Sequence, residues 1–135
     1  NIEERLSLYQ KLAEIEDKEN LNLFENELKD RFGNLPSEAK NLLKSVELKW
    51  LAAEIGFEKI VVKSGIFLGY FPGNPQDKFY QSEKFRNIIT YLSKNPYEAT
   101  LKEKTSKEGT QLMMRKEKVE NVDEVTQVLE RILGK

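Results

Sequence analysis

The sequence predicts an α+β domain in which three helices are followed by a hairpin-helix-hairpin-helix unit built on an antiparallel sheet. Apolar residues recur at helical spacing from Ile2 to Ile55, and the period turns strand-like after Gly56. Two turn signals, Ser64-Gly65 and Ser106-Lys107-Glu108-Gly109, each separate a pair of strand-like runs, and an amphipathic helical pattern follows each pair. A chain of 135 residues fits one domain, 1–135, long enough to bury a core without disulfides or metals.

Ile2, Leu6, Tyr9 and Ala13 recur at spacings of four, three and four, and Leu8, Leu12 and Ile15 widen the stripe, so residues 2–16 form the first helix. Asn20 is placed to cap a second, in which Leu21, Phe24, Leu28 and Phe32 share a face and Gly33 takes the left-handed position past the end. Pro36 and Ser37 open a third, because proline's fixed φ and missing N–H are tolerated in a first turn, and Gly56 stops it. Its apolar residues form a principal stripe (Ala39, Leu42, Leu43, Val46, Trp50, Ala53) and a second one (Leu48, Leu51, Ala52, Ile55), which places it between neighbours and Trp50 in the core.

Ile60-Val61-Val62 and Ile66 to Phe71 then read as a hairpin, with Gly69 marking a bulge and Pro72-Gly73-Asn74-Pro75 ending the second strand. Ser82 caps a helix carrying Phe85, Ile88, Ile89 and Leu92, closed by Asn95-Pro96. Tyr97, Ala99 and Leu101 alternate with polar residues as a half-buried strand that turns into Thr110 to Lys116. Asn121 and Glu124 make a capping pair ahead of Val122, Val125, Leu129, Ile132 and Leu133.

Composition narrows the chemistry. Cysteine and histidine are absent, which removes thiolate nucleophiles, imidazole bases and the common structural zinc sites. No glycine run cradles phosphate, since Gly65, Gly69 and Gly73 are spaced for turns. The longest apolar stretch is too short to span a bilayer, and nothing reads as a secretion signal, so a cytoplasmic location is expected. The chain opens inside a helical pattern without an initiator methionine, as a piece excised from something longer would. No catalytic residue, cofactor or metal ligand is predicted, and the closely set Glu14, Glu16 and Asp17 suit a helix N-terminus better than a cation site.

A formal charge of −1 gives no case for an overall polyanion binder, but the charge is unevenly spread. Residues 1–57 carry eight basic and twelve acidic side chains, residues 58–135 fourteen and eleven. Seven acids against Lys18 and Lys29 make Glu14 to Asp30 the most polarised segment. Within it Glu27 and Asp30, three apart, project from nearly the same helix face and can present two carboxylates to a partner's arginine. The competing reading pairs Glu27 with Arg31 four residues on and leaves Asp30 solvated. Phe67, Tyr70 and Phe71 beside Lys63 admit a nucleic-acid stacking platform, yet their alternation is more simply that of a packed sheet. The lysine-rich second half (Lys102, Lys104, Lys107, Arg115, Lys116, Lys118) is interrupted by Glu98, Glu103, Glu108 and Glu117, so DNA binding is kept only as the alternative function.

Three stretches, Arg5-Leu6-Ser7-Leu8-Tyr9-Gln10-Lys11-Leu12-Ala13, then Glu27-Leu28-Lys29-Asp30-Arg31-Phe32-Gly33-Asn34-Leu35-Pro36, then Ala52-Ala53-Glu54-Ile55-Gly56-Phe57-Glu58-Lys59-Ile60, together resemble the C-terminal domain of bacterial transcription-repair coupling factors. The resemblance covers the first sixty residues closely and the rest by element order. It implies a parent that is an ATP-driven DNA translocase, displaces stalled RNA polymerase and recruits UvrA through a UvrB-like module. This domain, without the motor, would dock on the UvrB-like module of the same parent chain and mask its UvrA surface. The resemblance makes Glu27 and Asp30 the candidate partner-binding pair. Whether docking is in cis or in trans, and whether the domain dimerises, is left open by the sequence.

Overall fold

The computed structural model describes residues 2–135. The described chain runs α1 (Ile2–Glu14), α2 (Lys18–Phe32), α3 (Ser37–Ile55), β1 (Lys59–Lys63), β2 (Ile66–Tyr70), a 3-10 turn (Lys78–Gln81), α4 (Glu83–Lys94), β3 (Thr100–Ser106), β4 (Gly109–Lys116) and α5 (Val122–Leu133). This is the α+β order expected: three helices, then hairpin-helix-hairpin-helix. The chain divides into two compact units, one up to Ser45 and one from Val46.

In the first unit α2 starts earlier than Asn20. Asp17, in extended backbone, accepts the N–H of Asn20 at 2.8 Å, and the Asn20 amide returns to the same carboxylate at 2.9 Å. Asp17 is therefore the cap, and Asn20 is inside the first turn. Gly33 closes the helix at φ 76°, its N–H donating to the Lys29 carbonyl. Leu12, Leu21, Phe24, Leu28, Leu35 and Leu43 are the buried apolar residues of this unit. Phe32, expected on the buried stripe, is 51% exposed and lies under the Arg31 guanidinium, 5.1 Å from the ring centroid. Ile2, Leu6 and Tyr9 also remain exposed.

The second unit holds the larger core. Its sheet is antiparallel with strand order β1-β2-β4-β3, so the two hairpins meet through β2 and β4. Ser64 and Gly65 both take positive φ (54° and 77°), the requirement of a two-residue primed turn whose twist matches the strands. Phe67, Phe71 and Met114 from the sheet, Leu48, Leu51, Ala52 and Ile55 from α3, Ile88 and Leu92 from α4, and Val125, Val128, Leu129 and Ile132 from α5 form one buried cluster. All three helices thus cover the same face. On α3 it is the second stripe that enters this core; Trp50 is only half-buried and Leu42 is 38% exposed.

Gly69 is no bulge, because the β1–β2 and β2–β4 registers run through it without interruption. A Cβ at that position would lie 2.5 Å from the Phe57 ring, so glycine is required by a close approach. Ala99 and Leu101 face the core as alternation predicts, but β3 begins only at Thr100 and Tyr97 is fully exposed in the preceding turn. Ser82 and Asn121 cap α4 and α5 as expected, through the N–H groups of Phe85 and Glu124. The Glu124 carboxylate turns back to the N–H of Glu120 rather than to that of the cap residue. A polar clasp joins the helices to the turn before β3: Tyr91 donates to Glu98, and Arg131 Nε donates to Glu98 Oε1 at 2.8 Å and to Tyr91 Oη at 3.2 Å. Burial and the hydrogen bond to Glu98 raise the Tyr91 phenol above its ordinary value. Among the described residues no helix is long and apolar enough to cross a membrane.

Candidate docking surface on the second helix

α2 presents the two predicted carboxylates because its other side is committed to packing. Leu21, Phe24 and Leu28 are 4%, 6% and 8% exposed, and the helical repeat then turns Glu27 and Asp30 outward together. Glu19 in the first turn and Lys29 and Arg31 in the last complement the helix dipole, and Lys29 pairs with Glu25 at 3.5 Å along the surface.

The Glu27–Arg31 pair of the competing reading is not made among the described residues. Glu27 instead accepts from Lys11 of α1 at 3.2 Å, with both side chains about half exposed (47% and 55%). Arg31 leans over Phe32. Asp30 is exposed and has no hydrogen-bond or ion-pair partner among the described residues. Lys11 lies sixteen residues from Glu27, beyond any spacing rule within one helix, so the sequence carries no signal for it.

Beside Glu27 the surface is concave. Lys11, Glu14, Ile15, Asn20, Leu23, Phe24 and Glu27 line a shallow hollow of about 300 Å³. Leu23, 60% exposed, forms its apolar lip. The hollow is lined by both polar and apolar side chains, with Glu27 on its rim and Asp30 outward on the same helix, a surface suited to a cationic side chain flanked by an apolar one. Among the described residues no group of three or more acids is set to hold a metal ion; Asp17, considered with Glu14 and Glu16, serves as the α2 cap.

Three comparisons bear on this arrangement. The model of the TRCF domain family matches residues 1–82, which includes the whole of α2 and its surroundings. The transcription-repair-coupling factor of Rickettsia bellii (strain RML369-C) is 36% identical over 56 residues, an alignment spanning 42% of this chain and 5% of that protein. The crystal structure of the C-terminal domain of transcription-repair coupling factor superposes with a TM-score of 0.66 over 98% of this chain and 80% of that one; at 19% identity this concerns the fold. The chain thus has the fold of the C-terminal domain of such a factor. With the family model matching more than half of its length, the chain belongs to the TRCF domain family of transcription-repair coupling factors.

Proposed function

We propose that this domain is a non-catalytic regulator that docks through Glu27 and Asp30 on the UvrB-like module of its own parent and masks the surface used by UvrA in transcription-coupled repair. The observation that supports it is the exposed pair Glu27 and Asp30 on α2, with Glu27 on the rim of a hollow, inside the stretch that the family model matches. On this reading the parent is the cytoplasmic, ATP-driven DNA translocase that engages RNA polymerase, and the domain's part is to set how much of it is competent for UvrA.

The mechanism needs a two-state parent. Docking stabilises a closed form that cannot bind UvrA, and apparent UvrA affinity equals the intrinsic affinity multiplied by the open fraction. Deleting residues 1–135 from the parent should therefore raise apparent UvrA affinity by the reciprocal of that fraction. Equal affinity with and without the domain, measured by equilibrium binding, removes the masking role.

A further inference from the structure

We propose that the face of the sheet opposite α3, α4 and α5 is a second docking surface, built to take an acidic amphipathic segment of a protein partner. Alternation and register place Lys59, Val61 and Lys63 of β1, Ile66, Leu68 and Tyr70 of β2, Met113 and Arg115 of β4, and Lys102 and Lys104 of β3 on this side, opposite the helix-covered core. Val61, Ile66, Leu68, Tyr70 and Met113 form an apolar band across β1, β2 and β4 and are each half-buried.

Charge says what covers that band. Lys59, Lys63, Lys102, Lys104, Lys107 and Arg115 surround it, against the carboxylates of Glu58, Glu108 and Glu117, an excess of three positive charges on one face of a chain whose formal charge is −1. Arg115 is held by Glu117 at 3.0 Å, and Glu58 accepts from Gln111. None of the five lysines has an ion-pair partner among the described residues. At one end of the band Lys59, Tyr70, Lys104, Ser106, Lys107, Glu108 and Gln111 line an open hollow of about 460 Å³, in which three ammonium groups outnumber the one carboxylate.

A nucleic acid would satisfy the charge but not the band. Single-strand readers stack bases on open aromatic faces. Here the one aromatic ring of the face, Tyr70, already has Lys59 Nζ over it at 5.8 Å and Lys104 Nζ at 5.9 Å, within cation–π reach. A base would have to displace an ammonium group to stack there. Aliphatic neighbours such as Leu68 and Met113 match leucine-type side chains of a partner, and the lysine rim matches its carboxylates.

The test uses the whole chain and three probes at physiological salt: a dye-labelled helical peptide with glutamates on one face and leucines on the other, polyglutamate of equal charge, and an oligothymidylate. The amphipathic peptide should bind most tightly. Titration should shift the amide resonances of β1 to β4 that flank Tyr70. K59E with K104E should weaken binding at least about tenfold, roughly the loss of a desolvated charge contact. Peptide binding no tighter than polyglutamate overturns the proposal. So does tighter, steeply salt-dependent binding of the oligothymidylate, which would make the face a nucleic-acid surface. Resonance shifts confined to α1 and α2, or dimerisation in ultracentrifugation that K59E with K104E abolishes and the peptide does not compete, overturn it as well. The resonance mapping needs no variant, so a misfolded double mutant would not rescue the idea.

Discussion

Reversing both carboxylates, E27R with D30R, separates a docking role from a structural one by magnitude. In the fold, Glu27 has one ion pair, with Lys11 at 3.2 Å, and both partners are about half exposed, so its loss costs between zero and about 1 kcal/mol. Arginine at 27 would then face Lys11, a like-charge contact in high dielectric of similar small size. Asp30, with no partner among the described residues, adds no more than about 0.5 kcal/mol in either direction. The double variant should therefore be destabilised by no more than about 2.5 kcal/mol, and its circular dichroism spectrum should be unchanged. Binding responds on another scale. If an arginine of the UvrB-like module is desolvated against this pair, loss of its partner costs about 2–5 kcal/mol and the reversed charges add repulsion. Affinity for the UvrB-like module, measured by calorimetry at moderate salt to screen long-range attraction, should fall well over tenfold. Unchanged affinity would refute the assignment. A collapsed melting midpoint would show instead that the carboxylates hold α2 in place.

Three further outcomes are expected. Gly69→Ala pushes a methyl against Phe57, which packs between Phe67 and Phe71, so the overpacking cost of about 1–3 kcal/mol should exceed the usual gain of replacing a strand glycine; a lowered midpoint, partly restored by Phe57→Leu, is the readout. Asp17→Ala removes the α2 cap and should cost about 1 kcal/mol by chemical denaturation, whereas Asn20→Ala, which leaves the Asn20 N–H to the Asp17 carboxylate, should cost less. Burial and neighbouring carboxylates raise the phenols of Tyr80 and Tyr91 above 10.0, so the protonated forms favour the native state. That contribution is complete below the unfolded value and is lost as pH rises through the higher folded values. Tyrosinate absorbance should therefore develop at higher pH in native than in urea-unfolded protein, and coincident curves would refute it.

What the sequence made legible follows the range of the interactions involved. Caps such as Ser82 and Asn121 and the Ser64-Gly65 turn depend on neighbours a few residues away, and each is found where spacing puts it. Asn20 misled because asparagine and aspartate are both good caps, and Asp17, three residues earlier, reaches the Asn20 N–H first. Gly69 looked like a bulge because the ring that requires it, Phe57, is brought in by tertiary packing. For the same reason no spacing within α2 reveals Lys11 as the partner of Glu27, and the stripe of α3 that reads as principal is the less buried of the two. Of the candidate site, the two exposed acids were legible; the hollow beside them and the lysine that holds one of them were not.

Topology also explains why the basic face exists at all. A hairpin-helix-hairpin-helix chain that pairs its two hairpins through β2 and β4 brings α4 and α5 to one side, where α3 joins them. The other side is left with no element of its own unit to cover it. Lysines alone would be enough to keep such a face soluble and to discourage sheet stacking. They do not account for Leu68, Tyr70 and Met113 between them, since alternation in a sheet with one wet face puts polar residues at those outward positions. Threonine or serine there would keep the strands without leaving apolar surface in water, at about 25 cal/mol for each Å² exposed. An apolar band retained inside a cationic rim is the pattern of a surface that is dry part of the time. That argument is independent of α2, so the test of the sheet face and the test of Glu27 and Asp30 can fail separately.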